Sequence, residues 1–183
     1  MTATGTPFDL GANYTAARTI ERPRRLELAE GWSSVLLLAF MAALVGWAID
    51  DAHWVLGDQA YTDFLPWAGI LGVLAGTAGA LLGRGRLVAH GLGAIAATVF
   101  IVWAIAGQLA PEGDAGMFTV VAERVWGAWD DLVIRGRATT TEVAHFILVL
   151  GIIVWGTGQF AAYALFAHHR ALAAIVIPGT VLF

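Results

Sequence analysis

Of 183 residues, 58% are hydrophobic and 13% charged, which leaves too little polar surface to cover a soluble globule. Ten arginines, no lysine and a net charge of −4 carry no nucleic-acid signal. The absence of cysteine excludes disulfides, thiolate nucleophiles, iron–sulfur clusters and cysteine-type zinc sites.

Residues 1–30 read as a polar cytoplasmic tail. Pro7 and Pro23 punctuate it, and Arg22, Arg24 and Arg25 precede the first apolar run, interleaved with Glu21, Glu27 and Glu30. The tail is too long and too polar for a cleaved signal peptide, and a partner protein is the natural agent to order it. The rest, 31–183, reads as one transmembrane helical domain. Its first span is expected over 32–49, stopped by Asp50 and Asp51. An acidic segment with His53, Trp54, Asp58 and Asp63 leads to a second span over 64–82. After the tight Gly83-Arg84-Gly85-Arg86 turn comes the third, over 87–109, which holds no Asp, Glu, Lys or Arg. At ~1.5 Å per residue it crosses the ~30 Å hydrocarbon core of a bilayer.

Pro111-Glu112-Gly113-Asp114 marks a turn, and 117–133 is expected as an amphipathic helix. Phe118, Val121, Val125, Trp129 and Leu132 recur along one face, with Glu123, Gly127, Asp130 and Asp131 on the other. It is too polar to cross, and either lies at the outer interface with Trp126 and Trp129 at headgroup depth or packs across the ends of the spans. The fourth span covers 143–167, before His168-His169-Arg170. The stretch 171–183 is too short to cross and contains Pro178-Gly179, so it either lies at the interface or, the favoured reading, starts a fifth span in a chain that continues. The expected fold is an all-α bundle of four complete spans, an outer interfacial helix and a partial fifth span. Arg18, Arg22, Arg24, Arg25, Arg84, Arg86 and Arg170 fall on one side, which the positive-inside rule makes cytoplasmic, with the N-terminus.

Span two is patterned for close packing. Ala68, Gly72, Gly76 and Ala80 recur every four residues, and Ala75, Gly79 and Gly83 form a second row; Ala89, Gly93 and Ala97 continue the theme in span three, Gly158 and Ala162 in span four. Small residues at this spacing let helix backbones approach, within a bundle or across a homodimer; the bundle is the simpler reading. Six of the eight tryptophans, Trp32, Trp47, Trp54, Trp67, Trp126 and Trp129, fall in an aromatic belt, while Trp103 and Trp155 lie deeper.

No acidic or basic residue sits mid-span, which argues against a pump or transporter. Thr77, Thr98 and Thr157 are expected to bond to their own helix backbones, and Gln159 lies further along span four. His90 and His168 or His169 lie at the cytoplasmic ends of spans, His53 and His145 at the outer ends. Histidines at two depths of a bundle could ligate haem or chlorophyll, with His90, His145 and His168 as candidate ligands; the plainer reading is histidine at the wet boundary. Asp50, Asp51, His53 and Asp58 form a ligand-like cluster without a recognised spacing and read as a solvated acidic loop. No nucleophile–base pattern, zinc-protease motif or phosphate-binding loop is present.

Trp155, Tyr163, Phe166, Arg170, Ala174 and Pro178-Gly179 together resemble the N-terminal membrane region of bacterial transglutaminase-like membrane proteins, as does Arg25-Leu-Glu-Leu-Ala-Glu-Gly-Trp32. His168-His169 stands where that family carries an arginine pair. The resemblance implies a multi-pass protein of the bacterial inner membrane whose Cys-His-Asp centre lies in an extracytoplasmic domain beyond Phe183. These residues would then be non-catalytic: a membrane anchor, or otherwise a scaffold subunit of a larger membrane complex. The alternative is a haem- or chlorophyll-binding subunit of an electron-transfer or photosynthetic complex. The expected partners are the lipid bilayer and other membrane subunits.

Overall fold

The computed structural model describes residues 28, 30–53, 61–83, 85–109, 116–137 and 143–181. Arg84, Asp58, Trp54 and the expected tail, apart from Leu28 and Glu30, lie outside them. Among the described residues there is no strand, and six α-helices follow in order: α1 (Gly31–Asp51), α2 (Leu65–Leu82), α3 (Arg86–Leu109), α4 (Met117–Trp129), α5 (Ala144–His168) and α6 (Ala171–Val181). A π-helical turn, Asp130–Ile134, extends α4.

Four of these, α1, α2, α3 and α5, are long and apolar enough to cross a membrane. Their bounds follow from local signals. Pro66 sits in the first turn of α2, where its missing N–H costs nothing, and Gly83, at φ 58°, ends the helix in a left-handed conformation. Gly83 therefore terminates α2 and is not part of the packing row expected from its spacing. His169 ends α5 the same way at φ 53°, with its N–H on the Leu165 carbonyl and that of Arg170 on Ala164.

The spans alternate in direction. The start of α1, the end of α2, the start of α3 and the end of α5 share one end of the bundle with Arg86 and Arg170. Asp50, Asp51, Asp63 and α4 lie at the other. α2 is the central helix, packed against α1, α3 and α5. Its contact with α5 is close because both sides offer glycine: a Cβ on Gly72 would fall on the Trp155 carbonyl, and one on Gly158 would lie 2.5 Å from the Gly69 oxygen. Ala68, Gly72, Gly76, Gly93 and Ala97 are buried within the chain, and Ala80 packs at the edge of the core. The core divides by level. Val45, Ile49, Leu65, Ile101, Ile105 and Ile147 meet toward the acidic end. Val35, Leu38, Ala42, Ala161 and Phe166 meet toward the arginine end, joined by Ala174 of α6.

α4 docks on α3 and α5, as one of the two readings had it, but by only part of the expected face. Val121, Val125 and Ala128 turn inward, while Phe118, Trp129 and Leu132 are exposed. The smaller side chains allow close approach to the bundle; the aromatic flank, with Trp126, is left outward, where lipid accepts it as readily as protein does. Arg135 and Arg137 then pair with Asp130 (2.7 Å) and Asp131 (2.8 Å), so the basic charge at this end is neutralised locally. α6, at 11 residues, reaches about 16 Å, half a bilayer core, with Pro178 inside it.

Candidate functional site

The threonines of the spans are turned back on their own helices. Thr77 donates to Val73 O at 2.8 Å, Thr98 to Ala94 O at 2.9 Å and Thr157 to Ile153 O at 2.7 Å. They satisfy themselves locally and are not free to meet a ligand.

Gln159 is different. It is 5% exposed and reaches across the α3–α5 contact. Trp155, one turn earlier on the same face, donates its indole N–H to Gln159 Oε1 at 2.9 Å. The Gln159 amide nitrogen lies 3.4 Å from His90 Nδ1 on α3. Space for the amide exists only because residue 93 is glycine: a Cβ there would overlap the carboxamide.

Chemistry orders this chain of contacts. An indole N–H only donates, so the amide oxygen must face Trp155 and the amide nitrogen must face His90. An amide nitrogen also only donates, so His90 Nδ1 accepts. The neutral imidazole then carries its proton on Nε2 and is a donor there. The 3.4 Å separation makes the last link long and weak.

The His90 ring is flanked by those of Phe160 and Tyr163, with centroids 4.9 and 4.7 Å away, and Tyr163 meets His168 edge-on at 5.5 Å. These side chains line a pocket of about 530 Å³ between α3, α5 and α6, with Arg86 and Arg170 in its wall. Arg86 and His90 are one helical turn apart and so share a face of α3. Among the described residues neither Arg86 nor Arg170 makes an ion pair with a carboxylate, in contrast to Arg135 and Arg137. The nearby acid, Glu30, pairs with His169 and ties the start of α1 to the α5–α6 turn. A larger groove of about 590 Å³ between α1 and α6, lined by Leu44, Trp47, Ile175 and Pro178, is almost wholly apolar.

The candidate ligands thus separate. His90 and His168 share a pocket, whereas His145 begins α5, about 35 Å away at the rise of a 25-residue helix. In the acidic loop, Thr62 donates to Asp50 and the His53 ring contacts the Asp51 carbonyl. Among the described residues no group of three or more His, Cys, Asp or Glu could hold a metal ion. Gln159 has no role legible from composition and span pattern, because one of its two partners, His90, lies on another helix; the local signal is an amide one turn after a deep tryptophan.

No family model, curated protein or solved structure matches the chain.

Proposed function

We propose that this chain is a non-catalytic membrane scaffold of the bacterial inner membrane with its N-terminus in the cytoplasm. The observation that carries the reading is the uncovered surface of the spans. α3 buries a narrow edge of Ala89, Gly93, Ala97, Ile101 and Ile105 and leaves Leu92, Ile95, Val99 and Trp103 exposed. α1 likewise exposes Leu36, Leu37 and Phe40. Apolar faces of this breadth suit lipid and neighbouring subunits, and spans without ionisable relays do not suit transport. Seven of the ten arginines lie in the sequence before α1, between α2 and α3 or after α5, a bias that supports the N-in orientation.

The scaffold takes one of two forms: the anchor of a longer transglutaminase-like protein, supported by the resemblance around Trp155–Phe183, or an accessory subunit whose neighbours order residues 1–30. An immunoblot of native membranes separates them. The anchor form gives a polypeptide well above 19.3 kDa; the accessory form gives one near 19.3 kDa that migrates within a larger assembly on a native gel. A free monomer near 19.3 kDa in native membranes, or substrate flux in proteoliposomes, would overturn both.

The alternative, a haem- or chlorophyll-binding subunit, draws support from His90 and His168 lining one pocket. It requires the His90 ring to release its Nε2 proton and exchange tautomer, breaking the contact with Gln159. A Soret or chlorophyll band in the purified protein that disappears in His90→Ala would establish it.

A further inference from the structure

We infer that the pocket between α3, α5 and α6 binds a phosphate group, carried on an anionic phospholipid of the leaflet at the arginine end. The inference needs only that the helices span a bilayer; it stands whether or not the scaffold reading does.

The pocket is graded along the membrane normal. Arg86 opens α3 and Arg170 precedes α6, so both guanidinium groups belong to the mouth. His90 lies one turn deeper, about 6 Å, and Phe160 and Ile177 lie at the apolar floor, roughly 10–12 Å from the helix ends. That sequence of cation, hydrogen-bond donor and hydrocarbon is the sequence of a phospholipid from headgroup to acyl chain. Volume agrees: about 530 Å³ lies within the ~300–1,000 Å³ range of small-molecule sites.

Arg86, Arg170 and His90 present donors to the pocket, and Tyr163 and His168 can donate as well. Guanidinium groups donate and cannot accept. The contacts from Trp155 and Gln159, the second of them long at 3.4 Å, bias His90 toward the tautomer that donates from Nε2. Donors backed by two guanidinium charges that meet no carboxylate among the described residues select an acceptor-rich anion, and phosphate oxygens match guanidinium geometry in pairs. Basic pockets between helices at a membrane surface are sites of this kind. A zwitterionic lipid brings its own ammonium group to the mouth and would be held less well. The Gln159 relay has no other evident purpose: a buried glutamine is costly at membrane depth, and Gly93 is shaped to admit it.

The test uses the whole chain, reconstituted in vesicles of equimolar phosphatidylglycerol and phosphatidylcholine, extracted in mild detergent and depleted of loosely held lipid. Lipid retained per chain is measured by mass spectrometry. The wild type is expected to hold phosphatidylglycerol about tenfold over phosphatidylcholine, and Arg86→Gln/Arg170→Gln to bring the ratio close to that of the vesicle. Arg135→Gln/Arg137→Gln, at the other end, should leave the preference intact. His90→Phe keeps the ring volume and both charges and should lower retention about threefold through the lost donor; it decides the matter if the double variant does not fold. A second arm adds millimolar inorganic phosphate. Retention of the lipid identifies the bound phosphate as a headgroup; displacement, with a phosphorus-31 shift absent from the double variant, identifies it as free phosphate. A wild type that neither enriches phosphatidylglycerol nor binds phosphate, or an enrichment that both pocket variants leave untouched, would overturn the inference.

Discussion

Gly72→Ala tests whether the contact between α2 and α5 is as close as the structure has it. The added methyl would meet the Trp155 carbonyl group, which is part of a helix backbone and cannot rotate away. The helices must therefore separate. A gap of ~0.5–1 Å costs each facing atom pair about a quarter to a half of its ~0.1–0.2 kcal/mol dispersion energy. Over roughly forty such pairs the loss is about 1–4 kcal/mol, against about 0.5–1 kcal/mol gained from replacing glycine by alanine inside a helix. The net expectation is destabilisation by about 0–3.5 kcal/mol, centred near ~2 kcal/mol, which overlaps the usual range for overpacking. Gly91→Ala on α3 is the control, because a Cβ there meets nothing within 4 Å and only the helical gain remains. Reversible unfolding in mixed micelles of mild detergent and increasing sodium dodecyl sulfate, followed by tryptophan fluorescence, reads both variants. Equal stability of the two variants, or a Gly72→Ala protein at least as stable as wild type, would refute the close contact.

Other expectations follow from the polar contacts. Thr77→Val should change stability by less than about 0.5 kcal/mol, since the hydroxyl serves only its own helix; a loss above about 1 kcal/mol in the same assay would mean that it bonds elsewhere. Trp155→Phe leaves the Gln159 oxygen without its donor, should cost about 1 kcal/mol, and frees the amide to turn. Nitrogen-15 spectra of labelled histidine should then show His90 passing from an Nε2-protonated ring to a mixture of tautomers, and a wild-type ring protonated mainly on Nδ1 would contradict the relay. Arg137→Gln removes an exposed ion pair with Asp131 and should cost at most about 0.5 kcal/mol, falling further in high salt; a larger cost in thermal melts would show that the pair holds α4 in place.

The bundle is legible in the sequence because a bilayer imposes a length and charge marks its limits. Asp50 and Asp51, the Gly83–Arg86 turn and His168 bracket the spans to within a residue or two of the observed helices. The threonine bonds were legible too, being local. What escaped depends on how one helix sits against another. Val121, Val125 and Ala128 form a stripe as regular as Phe118, Val121, Val125 and Trp129, and hydrophobicity alone favours the larger residues. The choice is made by how closely α4 can approach α3 and α5, which its own sequence does not encode. Gln159 is the sharper case. Read along α5 it is one amide among hydrophobic residues; its meaning comes from His90, 69 residues earlier, and from the absence of a side chain at Gly93. Gly83 shows the reverse error, a residue that fits a packing row by spacing but serves to end a helix.

Four helices that cross a bilayer in alternation, with the proposed placement of the arginine end in the cytoplasm, put each connecting segment on a definite side. The chain lacks cysteine, so single cysteines can be placed at Asp51, Arg86, Arg135 and Arg170 and treated with a membrane-impermeant maleimide. Labelling is expected at 51 and 135 in intact cells with the outer membrane permeabilised, and at 86 and 170 only after the inner membrane is opened. Labelling at 86 or 170 before that step, or 51 and 135 falling on opposite sides, would contradict it.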